Sequence, residues 1–135
     1  MVLKLFVVLC CALGMALSHP VRAELYRCEI VDGASLINGR IGRDASTAAW
    51  AHLQNPIVVD TDSGYVRLGT DGKGDRWAIR QRGNSSYDFV AVSNRLDPES
   101  DMGSILSLRV WERPVQALLV TNHFSLSSGT CSPLR

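Results

Sequence analysis

The chain has 135 residues, of which 46% are hydrophobic, 20% charged and 7% aromatic, and its formal net charge is +1. That length suits one domain rather than two independently cored ones. The near-zero charge argues against a nucleic-acid binder, and the composition excludes a collagen, a mucin-like stalk and a fully disordered chain.

The N-terminus reads as an address. Lys4 precedes an unbroken apolar run at 5–17 (LFVVLCCALGMAL), His19-Pro20 breaks it, and Val21-Arg22-Ala23 places small or medium side chains before Glu24. This is the pattern of a secretory signal peptide, and the apolar run is too short to span ~30 Å of hydrocarbon. Cleavage of 1–23 is expected to leave a single β-rich domain, 24–135, secreted or periplasmic and without a stable membrane span. Cys10 and Cys11 leave with the leader, so Cys28 and Cys131 remain. In an oxidising compartment such a pair predicts a disulfide, and no Cys-x-x-Cys suggests a redox site instead. Closing a loop of ~100 residues contributes about 4–5 kcal/mol in the chain-entropy model.

Beyond the leader, short apolar runs are separated by Gly, Asp, Asn and Ser clusters. The runs predict strands at 25–31, 56–60, 65–68, 76–82, 87–93, 104–112, 116–122 and 124–131. Residues 44–54 (DASTAAWAHLQ) are Ala-rich, open on an N-cap type Asp and stop before Asn55-Pro56, which predicts one short helix. The expected architecture is mainly β: a small antiparallel meander barrel or sandwich of about seven or eight strands, its terminal strands joined by the disulfide.

Alternation suggests a register. Pairing Leu68 with Trp77 sets Val66 beside Ile79, Tyr65 beside Arg80 and Arg67 beside Ala78. Pairing Arg82 with Tyr87 then sets Ile79 beside Val90, Trp77 beside Val92 and Arg80 beside Phe89. The predicted buried face is Val66, Leu68, Trp77, Ile79, Val90 and Val92. A third pairing, Val110 with Leu118, aligns Leu106 and Leu108 with Asn122 and Val120. On the opposite face this register gathers Tyr65, Arg67, Arg80, Arg82, Tyr87 and Phe89 into one outward surface. Arginines over aromatic rings suit a protein interface, and they also suit plain cover of the rings by arginine stems.

Catalytic and metal patterns are weaker. Neither His52 nor His123 has a His or Cys within zinc-ligand spacing, so no metal site is expected. No Gly-x-Ser-x-Gly elbow marks a nucleophile. Asp60-x-Asp62-x-Gly64 lacks the later ligands of a calcium loop and reads as a tight turn. Gly69, Gly72 and Gly74 precede no helix that could cradle a phosphate, so no cofactor is expected.

Tyr26-Arg27-Cys28 near the expected mature start, strands with little helix, and a last strand ending in Cys131 broadly resemble the small periplasmic β-barrel inhibitors of C-type lysozymes. The resemblance implies a β-barrel and an inhibitor of a secreted hydrolase. That family's inhibitory motif is Ser-Gly-x-x-Tyr; here Ser63-Gly64 is followed by Tyr65-Val66-Arg67, so Arg67 occupies the position of the motif tyrosine. The leading expectation is a non-enzymatic binding module for a protein partner in the envelope or medium. Its alternatives are a hydrolase inhibitor, an enzyme using His52 or His123, and a carrier of a small apolar ligand.

Overall fold

The computed structural model describes residues 24–43, 49, 51–70, 72–93, 103–121 and 125–135. Its strands are β1 (Leu25–Ile37), β2 (Arg40–Gly42), β3 (Ile57–Asp60), β4 (Tyr65–Leu68), β5 (Asp75–Arg76), β6 (Ala78–Gln81), β7 (Phe89–Val92), β8 (Ile105–Arg109), β9 (Val115–Val120) and β10 (Ser125–Pro133). They form one antiparallel sheet in the order β5-β4-β3-β1-β10-β9-β8-β7-β6, with β2 attached to β1 alone. The sheet curls into a nearly closed barrel. Its ends approach through one segment that changes partner at Trp77: β5 pairs with β4, and β6 pairs with β7. At that point the Trp77 N–H donates to the Gly64 carbonyl at 2.8 Å.

Cys28 and Cys131 are directly opposed in the β1–β10 register and form the expected disulfide, 103 residues apart in sequence. Both cysteines are buried, so the bond is part of the core rather than a surface clip. A disulfide of this kind suits an oxidising, extracytoplasmic compartment.

Strict alternation fills the barrel. Tyr26, Cys28 and Ile30 of β1 point inward, as do Ile57, Val59, Val66, Phe89, Ala91, Leu106, Leu108, Val115, Ala117 and Leu119. A bulge between Ile30 and Asp32 interrupts β1. Asn55 fills the gap with its side-chain amide, accepting from the Ile30 N–H and donating to the Ile30 carbonyl. Of the predicted helix 44–54, Ala49 and residues 51–53 are helical, and most of the remainder lies outside the described residues. The predicted leader 1–23 lies wholly outside them.

The three predicted hairpin registers are corrected. In β6–β7, Ala78 opposes Val92 and Ile79 opposes Ala91, one residue from the expected pairing, with a bulge before Gln81 opposite Val90. One step exchanges the faces. Phe89 and Ala91 therefore enter the core, while Val90 and Val92 turn outward and are half-buried. The charge of Asp88 shares the parity of Val90 and Val92, which favours that face for solvent. In β8–β9, Leu106 opposes Leu119 and Leu108 opposes Ala117, an odd displacement from the predicted pairing. Leu118 and Val120 consequently face out. Polar Gln116 shares their parity, whereas Val115, Ala117 and Leu119 form a wholly apolar set. The predicted β4–β6 hairpin is replaced by β4–β5, with Tyr65 opposite Arg76. Val66 and Trp77 are buried as predicted, and Leu68 and Ile79 pack against the core.

Candidate functional site

The predicted outward surface is divided by these corrections. Phe89 is lost to the core for the parity reason above. Tyr65 lies half-buried on β4, with its ring filling the space where a side chain at Gly74 would stand. Arg67 is also half-buried, opposite Val58, and its Nε is buried without a hydrogen-bond partner among the described residues. Arg80 is exposed beside the β6 bulge. Arg82 reaches back across the barrel seam, its guanidinium 3.6 Å from the Asp62 carboxylate. Tyr87 remains exposed in the β6–β7 loop, where the Asn84 side-chain oxygen accepts from the N–H groups of Ser86 and Tyr87.

The Asp60–Gly64 turn has the tight form expected of it. Gly64 has φ +73 and donates its N–H to the Asp60 carbonyl at 3.0 Å. The Asp60 carboxylate accepts from the Ser63 hydroxyl at 2.6 Å and from the Asp62 N–H at 2.9 Å. The Ser63 hydrogen bond holds the Asp60 carboxyl below its ordinary range, assisted by the backbone donors and opposed by partial burial.

A different cluster occupies the outer wall one strand further on. Phe89 opposes Leu108 across β7–β8, which brings Asp88 and Arg109 to neighbouring outward positions. The Trp111 indole N–H donates to Asp88 at 3.0 Å, and the Arg109 guanidinium lies 3.8 Å from the same carboxylate. That guanidinium also stacks over the Trp111 ring, 5.3 Å from its centroid, and approaches Glu112 at 3.5 Å. The Ser107 hydroxyl adds a longer contact to Asp88 at 3.4 Å, and the Asp88 carbonyl accepts from the Gln81 side-chain amide at 2.7 Å. Beside this cluster lies an open cleft of about 210 Å³ whose walls include Asp88, Ser107, Arg109, Gln116, Leu118 and Ser128. Trp111 is nearly half exposed, so a large indole sits at the surface with its N–H anchored and one cation over its ring.

Chemically, the cluster is internally paired. Asp88 and Glu112 face Arg109, so the array offers stacking area and hydrogen bonds rather than a free charge. Ser107 and Arg109 stand on β8, and Trp111 is held on the following turn by its contacts with Asp88 and Arg109, which lowers the entropy lost on contact. Sequence reasoning missed this cluster because it paired the wrong parity in β7. The available signal was an opposite-charge pair, Asp88 and Arg109, flanking the apolar runs of two consecutive strands. His52, considered as a catalytic candidate, is exposed on its helical turn, and His123 lies outside the described residues. Among the described residues no three His, Cys, Asp or Glu side chains converge as a metal site would require. No protein-family model, curated protein or solved structure matches this chain.

Proposed function

We propose that the domain is an exported, non-catalytic binding module that engages a protein partner in the periplasm or the medium through the outer face of β7–β9. The observation that carries this reading is the exposed Trp111, held by Asp88 and Arg109 on a disulfide-tied barrel. Trp, Tyr and Arg are the residue types that dominate interface energetics. Tyr87, from the predicted surface, is exposed and adjoins Asp88 in sequence.

The hydrolase-inhibitor reading is the weaker of the two. Its motif position holds Arg67, which is half-buried, and the neighbouring Tyr65 is packed against Gly74 rather than projecting.

The test is affinity capture from the native periplasm or culture medium with the wild-type domain, followed by a measured affinity for the captured protein. Trp111→Ala is expected to weaken that affinity by roughly 2 kcal/mol or more, the loss typical of a central anchor. An unchanged affinity in Trp111→Ala and in Arg109→Ala would remove this face from the proposal.

A further inference from the structure

The β1–β2 hairpin stands outside the barrel wall. β1 keeps its β10 partner as far as Ser35, and β2 pairs with β1 alone, so Leu36 and Ile37 continue past the wall. The reversal is Asn38-Gly39, with φ of 51 and 76. This is the left-handed pair that matches the twist of a two-residue hairpin, and it makes the projection a defined ribbon. Leu36 and Ile41 are directly opposed, hence on one face, while Ile37 lies on the other, with its Cδ1 3.5 Å from where a Cβ on Gly42 would stand. These three side chains are 51%, 71% and 37% exposed. Arg40 and Arg43 flank them, and no acid occurs between residues 33 and 43. Asp32, at the base of the ribbon, forms an ion pair with Arg43.

From these placements we infer that the hairpin is a membrane-docking tip, seating Leu36, Ile37 and Ile41 among the headgroups of an anionic lipid surface while Arg40 meets lipid phosphates. Two features favour lipid over a protein groove. Aliphatic side chains project from both faces of the ribbon; a groove covers one face, whereas a lipid interface surrounds both. Asp32 balances Arg43, and Arg40 leaves the ribbon with a net positive charge that matches an anionic leaflet. The apolar character also continues onto the wall. Ala34 opposes Leu126, Leu126 opposes Val120, Val120 opposes Ile105, and Ile105 opposes Val92, all on the outer face. A few aliphatics and one unbalanced arginine give reversible docking rather than a span.

The experiment uses the mature, disulfide-bonded domain with phosphatidylglycerol–phosphatidylcholine vesicles and with pure phosphatidylcholine vesicles. Wild type is expected to co-sediment with the anionic vesicles, more weakly as salt rises and more weakly with the zwitterionic ones. Leu36→Asn/Ile41→Asn is expected to weaken binding about tenfold or more, and Arg40→Gln/Arg43→Gln to reduce its salt dependence. All four side chains are exposed, so circular dichroism and the thermal midpoint should barely change. In a separate Ile41→Trp variant, emission from the new indole should shift to the blue on vesicle binding and be quenched by brominated lipid. The inference is overturned if wild type fails to bind anionic vesicles, or if binding survives Leu36→Asn/Ile41→Asn. A dimer that this double variant abolishes, without vesicle binding by wild type, would assign the surface to a second copy of the chain and overturn it equally.

Discussion

Phe89→Ala, measured beside Tyr87→Ala, tests the register on which the whole outer surface depends. The two aromatics are two residues apart, yet Phe89 is 0% exposed and Tyr87 is 61% exposed. Phe89 sits opposite Leu108 and packs within a core that includes Leu106, Leu119 and Val115. Truncating such a ring removes its transfer free energy and leaves a cavity, for a combined cost of about 3–5 kcal/mol. The exposed Tyr87 should cost no more than about 0.5 kcal/mol. With a urea dependence of about 1.5–2 kcal/mol per molar for a domain of this size, Phe89→Ala should lower the midpoint by about 2 M and Tyr87→Ala by a few tenths of a molar. Urea unfolding of the disulfide-bonded domain, followed by circular dichroism, supplies the comparison. Val90→Ala serves as the internal control, because the register read from alternation alone buries Val90 and exposes Phe89. If Phe89→Ala costs less than about 1 kcal/mol, or Val90→Ala costs as much as Phe89→Ala, the observed β6–β7 pairing is wrong. The Asp88–Arg109–Trp111 cluster would then lose its geometric basis.

Removing the disulfide as Cys28→Ala/Cys131→Ala should destabilise the domain by about 2–5 kcal/mol, with the chain-entropy value for so long a loop at the upper end; calorimetry that finds an unchanged midpoint would refute this. Gly64→Ala should cost about 1–3 kcal/mol, because Gly64 has φ +73 and an added Cβ would lie 2.6 Å from the Trp77 carbonyl oxygen at the barrel seam. A midpoint within a degree of wild type would show that the seam tolerates a side chain there. Tyr26 titrates at about 12, raised from 10.0 by burial first and then by its hydrogen bond to Glu24. A raised folded-state value means its contribution is complete below pH 10 and is lost as pH climbs toward 12, by about 1 kcal/mol near pH 11. Ultraviolet titration of the phenolate gives the value directly, and an ordinary tyrosine value would contradict the burial. Asp60 has the opposite sign: its lowered value stabilises the fold above pH 3.8, and this is lost as pH falls below that point. Ser63→Ala should move the Asp60 titration, followed by carboxyl NMR shifts, back toward the ordinary range.

The features legible in the sequence were those with one dominant physical signal. The cysteine pair, the β-rich class and the Asp60–Gly64 turn each depend on local chemistry or on simple counting, and each stands in the structure. The hairpin registers depended on choosing between parities, and there the signal was divided. In β7 both sets, Phe89 with Ala91 and Val90 with Val92, are apolar, so alternation alone cannot choose. Asp88, inside the predicted strand 87–93, breaks the tie toward Phe89 and Ala91, but pairing Arg82 with Tyr87 set that signal aside. In β9 the single polar Gln116 plays the same part. The β1–β2 hairpin was missed although Asn38-Gly39 is the strongest short hairpin signal available, because the flanking residues are few and do not alternate cleanly. The partner exchange at Trp77 has no local signature at all, since it follows from how a curled sheet meets itself.

The two candidate surfaces stand at opposite ends of the barrel, and register alone establishes this. The β8–β9 loop that carries Trp111 ends at Val115, which opposes Cys131, which in turn opposes Cys28. The β1–β2 hairpin leaves the wall beyond Ser35, which opposes Ser125 at the other end of β10. The strands between them rise about 3.3–3.4 Å per residue, so the length of β10 alone separates the two by roughly 20 Å or more. A domain resting its hairpin on a lipid surface would therefore present Trp111 and Arg109 away from that surface. The disulfide lies at the Trp111 end and ties β1 to β10, the neighbours that join the two halves of the sheet order. Binding at Trp111 thus acts on the covalently fixed end. The hairpin, which pairs with one strand only, is the end free to adjust to a fluid interface.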